Sequence, residues 1–161
     1  MNTTLNPKYK ILVVDDDLDL NTGFALLLEF DGHEVQTAYT GEAAVEMLKK
    51  EHFDLAIIEY WLPRMTGDQL AAQVKHHWPD VHIIMVTANF GEIHPDNHPI
   101  AGVDCLLDKP FSMEQLRAAI NWTFDRGFKQ PRQEVDAPWM IGGRQTATGS
   151  SQSTPKNFKS L

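Results

Sequence analysis

The residues able to do chemistry in this 161-residue chain are few and far apart: Asp15-Asp16-Asp17, Glu59, Thr87 and Asp108-Lys109-Pro110. Each follows a short run of apolar, largely β-branched residues. Carboxylates gathered in one place repel one another and resist joint ionisation unless a cation compensates them. Three carboxylates with a lysine and a hydroxyl therefore predict a site for a divalent metal and a phosphoryl group. Mg²⁺ suits such a set, because a few carboxylates, a carbonyl and retained waters complete its octahedron. A lysine offers a point charge to one phosphoryl oxygen, and a threonine hydroxyl donates to another. Asp17 and Asp19 have a simpler reading as caps for the helix that follows. Asp15-x-Asp17-x-Asp19 has the opening spacing of a calcium loop, but Leu20 and Leu26 stand where such a loop needs glycine and glutamate. His94 and His98 lie four apart in a segment interrupted by Pro95 and Pro99, so no helical frame holds them as metal ligands and they read as solvated.

The surrounding elements must bring these residues together. Between residues 8 and 127, short strand-like runs alternate with helical patterns about five times. Strands are predicted near 11–14, 33–38, 55–58, 81–86 and 103–107. Helices are predicted over 18–30, with Leu20, Phe24, Leu27 and Leu28 at helical spacing, and over 42–50 and 66–77. A final helix opens on the capping box Ser112-Met113-Glu114-Gln115 and ends near Gly127. The two prolines predict a shortened or irregular helix between Thr87 and Gly102. Continuous apolar runs such as Ile11-Leu12-Val13-Val14 indicate strands covered on both faces. Alternating strands and helices imply right-handed crossovers and an α/β fold, a doubly wound five-stranded parallel sheet. Ligands in such sheets bind outside the carboxyl ends of the strands, where the acidic residues fall.

An apolar fraction of 42% with 22% charged residues is that of one soluble globular domain with a short appendage. A single cysteine, Cys105, excludes an intramolecular disulfide and a cysteine-based zinc site, which points to a reducing compartment. The N-terminus lacks a leader pattern, no apolar run approaches a bilayer span, and a cytoplasmic protein without membrane contact is expected. The formal charge of −8 argues against a nucleic-acid surface. Residues 128–161 carry five basic and two acidic side chains, and 142–157 is too poor in apolar residues to repay the entropy of ordering. The expected organisation is an N-terminal extension (1–7), one domain (8–127) and a flexible, disordered tail (128–161). The tail's one apolar cluster, Trp139-Met140-Ile141, reads as folding back onto its own domain, with a docking anchor as the alternative.

Four blocks in order carry a resemblance: Lys10-Ile11-Leu12-Val13-Val14-Asp15-Asp16-Asp17; Asp54 to Glu59 with Leu62-Pro63-x-Met65-x-Gly67; Val86-Thr87-Ala88; and Asp108-Lys109-Pro110-Phe111. Over residues 8–127 the chain resembles a response-regulator receiver domain, the CheY-like family of two-component signalling. The resemblance implies a (βα)₅ domain in which Asp15, Asp16 and the carboxylate at 59 hold Mg²⁺ with the Trp61 backbone carbonyl. It implies a phosphoacceptor at the end of the third strand, contacts from Thr87 and Lys109 to the phosphoryl group, and a cis Lys109-Pro110 peptide. It further implies a histidine kinase or phosphotransfer protein as donor, and a downstream partner or self-association through the last helix, Ser112 to Arg126, as output.

The sequence departs from that family at the acceptor, where Glu59 replaces aspartate. The extra methylene adds about 1.5 Å of reach, and a misplacement of about 1 Å can cost about a hundredfold in rate. The pocket is therefore expected to bind Mg²⁺ while forming an acyl phosphate poorly. Its longer carboxylate is expected to reach toward Thr87 and Lys109 and to mimic the phosphorylated state. Leu106 stands where the family often has an aromatic switch residue. No output domain pattern follows residue 127, and the chain reads as a non-enzymatic module. Alternatives are a constitutive pseudo-receiver that never carries phosphate, or a Mg²⁺-dependent phosphatase of haloacid-dehalogenase type with Asp15 as nucleophile and Asp17 as acid. The latter leaves the later blocks unexplained.

Overall fold

A computed structural model describes residues 7–89, 91, 98–125 and 140–141 of the chain. The elements run β1 (Lys10–Val14), α1 (Leu18–Phe30), β2 (Glu34–Ala38), α2 (Gly41–Lys50), β3 (Leu55–Glu59), α3 (Gly67–His77), β4 (His82–Thr87), β5 (Cys105–Asp108), α4 (Met113–Asp125) and β6 (Met140–Ile141). The five expected strands form one parallel sheet in the order β2-β1-β3-β4-β5. That is the doubly wound order whose switch point lies between β1 and β3. The tail adds a sixth strand: Met140 and Ile141 pair parallel to Leu106 and Leu107 on the outer side of β5. For these two residues the chain does fold back onto its own domain, since an unpaired strand edge offers backbone donors and acceptors to any extended segment. Trp139, the rest of the tail, and the segment 92–97 with Pro95 and His94 lie outside the described residues. Among the described residues no helix is long and apolar enough to cross a membrane.

The period of two along each strand divides the core. Leu12, Val14, Ala56, Ile58, Ile83, Met85 and Leu106 meet Leu48 of α2 and Leu70, Ala71 and Val74 of α3 on one face. Ile11, Val13, Leu55, Ile57, Ile84, Val86, Cys105 and Leu107 meet Leu28 of α1 and Leu116, Ala119 and Ile120 of α4 on the other. Helix starts follow the sequence signals. The Asp17 carboxylate accepts from the Asp19 and Leu20 amides, and the Ser112 hydroxyl and Gln115 side chain cap each other's backbone N–H. α1 differs from the predicted pattern: Leu20 and Leu27 are exposed, and the residues turned fully inward are Leu28 and the polar Asn21.

Candidate functional site

Asp15, Glu59 and Lys109 lie at or just past the carboxyl ends of β1, β3 and β5. Each continues the row of its strand that faces α1 and α4, two residues on from Val13, Ile57 and Leu107. The backbone ladder extends past the strands to fix them, with Asp15 N–H bonded to Ala38 O, Tyr60 N–H to Val86 O and Lys109 N–H to Thr87 O. Residues 44 and 50 apart in sequence are thus delivered to one corner of the sheet edge. The Lys109 ammonium sits there between two nearly buried carboxylates, 2.6 Å from Glu59 Oε2 and 3.0 Å from Asp15 Oδ2. Burial alone would lower the lysine's pKa, but the hydrogen bonds and charges of Glu59 and Asp15 hold it above its ordinary value. The second oxygen of each carboxylate takes a backbone amide: Glu59 Oε1 accepts from Trp61 N–H at 3.3 Å and Asp15 Oδ1 from Asp17 N–H at 2.9 Å.

Two glycines and a methionine explain why the loop after β3 holds this shape. The Gly67 N–H donates to Tyr60 O at 2.7 Å. A Cβ on Gly67 would stand 2.6 Å from Glu59 O and 2.9 Å from Tyr60 Cα, so only glycine lets α3 start against the strand end. Met65 packs into the space above Gly41 at the start of α2. Between them Arg64 adopts a positive φ of 67° and its guanidinium pairs with Glu42.

Thr87 falls in the other row of β4, with Ile83 and Met85. Its hydroxyl accepts from Asn89 N–H at 3.4 Å, and among the described residues it makes no hydrogen bond to Glu59. The expected reach of Glu59 toward Lys109 is present and that toward Thr87 is not. Asp16 is exposed. Among the described residues no three of the His, Cys, Asp and Glu side chains are gathered as a metal site. The Lys109 ammonium supplies the positive charge between Asp15 and Glu59. Lys109-Pro110 is cis, as the resemblance implies.

One positioning residue was absent from the sequence reading. Asn21 is fully buried on the inner face of α1, and its Nδ2 donates to both Asp15 O and Ala38 O at 2.8 Å, locking the acidic turn to the end of β2. A lone amide in phase with Phe24 and Leu28 was the available signal. Arg117 of the last helix makes a two-pronged bond to Asp31 at 2.7 and 2.8 Å, tying α4 to the C-cap of α1. Beside the site, Leu20, Phe24, Ala88, Lys109, Pro110 and Phe111 line an apolar groove of about 360 Å³.

A family model described as the response regulator receiver domain matches residues 11–121. The chain belongs to the response regulator receiver family. Receivers of known structure superpose accordingly. A response regulator receiver domain protein (CheY-like) from Methanospirillum hungatei is 30% identical, with 74% of this chain and 95% of that one covered and a TM-score of 0.65. The chemotaxis response regulator CheY4 of Vibrio cholerae is 28% identical, covering 73% and 99%, TM-score 0.65. The response regulator TrrA of Thermotoga maritima, solved in complex with Mg²⁺-BeF, is 26% identical, covering 73% and 99%, TM-score 0.65. The chain is thus a receiver domain of two-component signalling, a family of signalling modules.

Proposed function

We propose that this receiver signals as a constitutively active-like binding module, with the Glu59 carboxylate standing in for a phosphorylated acceptor. The observation that carries the reading is Glu59 Oε2 at 2.6 Å from Lys109 Nζ, with Oε1 on the Trp61 amide. A phosphorylated aspartate would present anionic oxygens farther from the backbone than its own carboxylate reaches, toward the lysine and the amide that follow. The extra methylene of glutamate carries its two oxygens outward in the same sense. Of the two contacts that the resemblance assigns to the phosphoryl group, the one to Lys109 is then present without a donor and, among the described residues, the one to Thr87 is not, and output passes through a protein partner rather than through turnover of a substrate.

The donor set still suits Mg²⁺ chemically: Asp15 retains lone pairs beyond those given to Lys109 and Asp17 N–H, Asp16 is exposed, and the Trp61 carbonyl supplies a neutral oxygen. When bound, the ion neutralises charge on an incoming phosphoryl group. Asp15 and Asp16 would hold the ion at the β1 end, while Lys109 offers the second positive charge. What glutamate removes is alignment, because the nucleophilic oxygen is displaced along the line of attack and already engaged by the lysine.

The test is labelling of the full chain with acetyl phosphate and Mg²⁺. Little or no hydroxylamine-labile phosphate is expected on the unmodified protein, and Glu59→Asp should gain it, in a manner abolished by Asp16→Asn or Lys109→Ala. Equal labelling of the unmodified chain and Glu59→Asp would make Glu59 a working acceptor from a histidine kinase or phosphotransfer protein and overturn the reading. A folded but unlabelled Glu59→Asp would overturn it equally, since the pocket itself would then lack receiver chemistry.

A further inference from the structure

Asn21 lies fully buried on the inner face of α1. Both hydrogens of its Nδ2 are used, one on Asp15 O and one on Ala38 O, each at 2.8 Å. Two carbonyl partners fix which end of the amide is nitrogen, since the oxygen end would repel both. The remaining atom, Oδ1, is buried without a hydrogen-bond partner among the described residues. An unmade buried acceptor keeps its full desolvation cost, whereas an apolar side chain of the same shape carries none. For the stability of α1 alone, a leucine at this position would serve as well. What the amide supplies instead is control of the backbone on either side of Asp15.

The peptide plane before Asp15 is tied by its N–H to Ala38 O at 3.2 Å. The plane after it is tied by its carbonyl to Asn21. Because each peptide is rigid, fixing both planes fixes φ and ψ of Asp15, and so the direction of its Cα–Cβ bond. The carboxylate then arrives with Oδ2 3.0 Å from Lys109 Nζ and Oδ1 accepting from Asp17 N–H at 2.9 Å. The second plane also carries the N–H of Asp16, so the two acidic residues are set relative to each other. From this we infer that Asn21 is a positioning residue of the acidic corner, and that its amide determines how strongly Asp15 and Asp16 together hold a divalent cation. The role presupposes that this corner takes Mg²⁺, as proposed for its donor set. A rotation of about 20° in either plane swings a carboxylate oxygen by about 1 Å. An ammonium with three rotatable donors on a flexible stem follows such a swing. Mg²⁺ does not, because it demands near-ideal octahedral geometry. Loss of the Asn21 bonds therefore weakens the cation more than the Lys109 pair.

The test is a MgCl₂ titration of the full-length protein, followed through the backbone amide resonances of Asp15, Asp16 and Asp17, beside thermal melting followed by circular dichroism. Asn21→Leu keeps the shape and removes both donors together with the orphan acceptor. It is expected to melt within about 4 °C of the parent. It should bind Mg²⁺ about tenfold more weakly, the scale on which a metal site loses affinity when a group supporting its ligands is removed. Val74→Ala, in the layer on the other face of the sheet, is expected to do the reverse, with a lower melting temperature at the parent's Mg²⁺ affinity. If the leucine variant does not fold, Asn21→Ala, which cannot overpack, is held to the same loss of affinity. Equal Mg²⁺ affinity in the parent and the Asn21 variant would overturn the positioning role while the cation reading stands. So would a loss in Val74→Ala as large as in the Asn21 variant, since affinity would then only track stability. Resonances that do not move with Mg²⁺ in the parent would overturn the cation reading and the positioning role together.

Discussion

Replacing Gly67 and Gly23 by alanine, the same chemical change in two helices, should move stability in opposite directions. At Gly67 the new methyl meets three backbone atoms of the preceding strand end, Glu59 O at 2.6 Å, Tyr60 Cα at 2.9 Å and Glu59 C at 3.2 Å. None belongs to a flexible side chain, so α3 or the loop after β3 must shift, and overpacking of this sort costs about 1–3 kcal/mol. At Gly23, inside α1, nothing lies within 4 Å of the added methyl. There alanine only lowers the entropy lost on forming the helix, a gain of about 0.5–1 kcal/mol. The two variants should therefore differ by about 3 kcal/mol. At about 4 °C per kcal/mol for a domain of this size, Gly67→Ala should melt about 8 °C below the parent and Gly23→Ala about 2–4 °C above it. Urea titration followed by far-UV circular dichroism gives the same comparison as a shift of midpoint at constant slope. The Gly67 variant should also alter Trp61 fluorescence, because the displaced segment carries that residue. A Gly67→Ala midpoint equal to the parent's, or two variants shifted the same way, would refute the argument that close backbone approach fixes this loop.

Other perturbations have equally definite signs. Lys109→Met leaves the nearly buried Asp15 and Glu59 carboxylates with no cation between them, so it should cost about 3 kcal/mol, and millimolar Mg²⁺ should recover part of the lost melting temperature. Burial, opposed by Asp31, lowers the imidazole pKa of His33 below its ordinary 6.5, and its Nδ1 accepts from Tyr9 N–H at 3.2 Å, which only the neutral ring can do. The folded value lies below the unfolded one, so this contribution is complete above pH 6.5 and is lost as pH falls through 6.5 toward the lowered value. The urea midpoint should drop between pH 7.5 and 5, and less so in His33→Gln. Burial pushes the Cys105 thiol up to about 12, so a thiol reagent should label the native chain only at the rate at which β5 opens, and promptly in denaturant.

Much of this fold was legible because its signals are local or periodic. The runs Ile11–Val14 and Leu55–Ile58 are apolar on both faces of the pleat. Asp17 and the Ser112–Gln115 pair announce helix starts through hydrogen bonds spanning at most three residues. The site followed from topology, since parallel strands deliver their carboxyl ends to one edge. What stayed hidden depends on side-chain direction or on distant partners. Helical spacing could not say that Asn21 rather than Leu20 or Leu27 faces inward, because α1 is apolar nearly all round. The lysine's choice of Glu59 and Asp15 over solvent, and Arg117's choice of Asp31 across 86 residues, are decided by tertiary packing alone. So is the absence, among the described residues, of a bond between Thr87 and Glu59, which depends on which row of β4 the hydroxyl joins.

The Arg117–Asp31 fork has a mechanical meaning. α1 and α4 lie on the same face of the sheet, each resting on it through apolar contacts that permit sliding. A guanidinium held at two points to the residue closing α1 fixes both separation and rotation between the helices. The fork joins α4 to the end of α1 remote from the acidic turn, so a shift of α4 along the sheet would have to break it or carry α1 along.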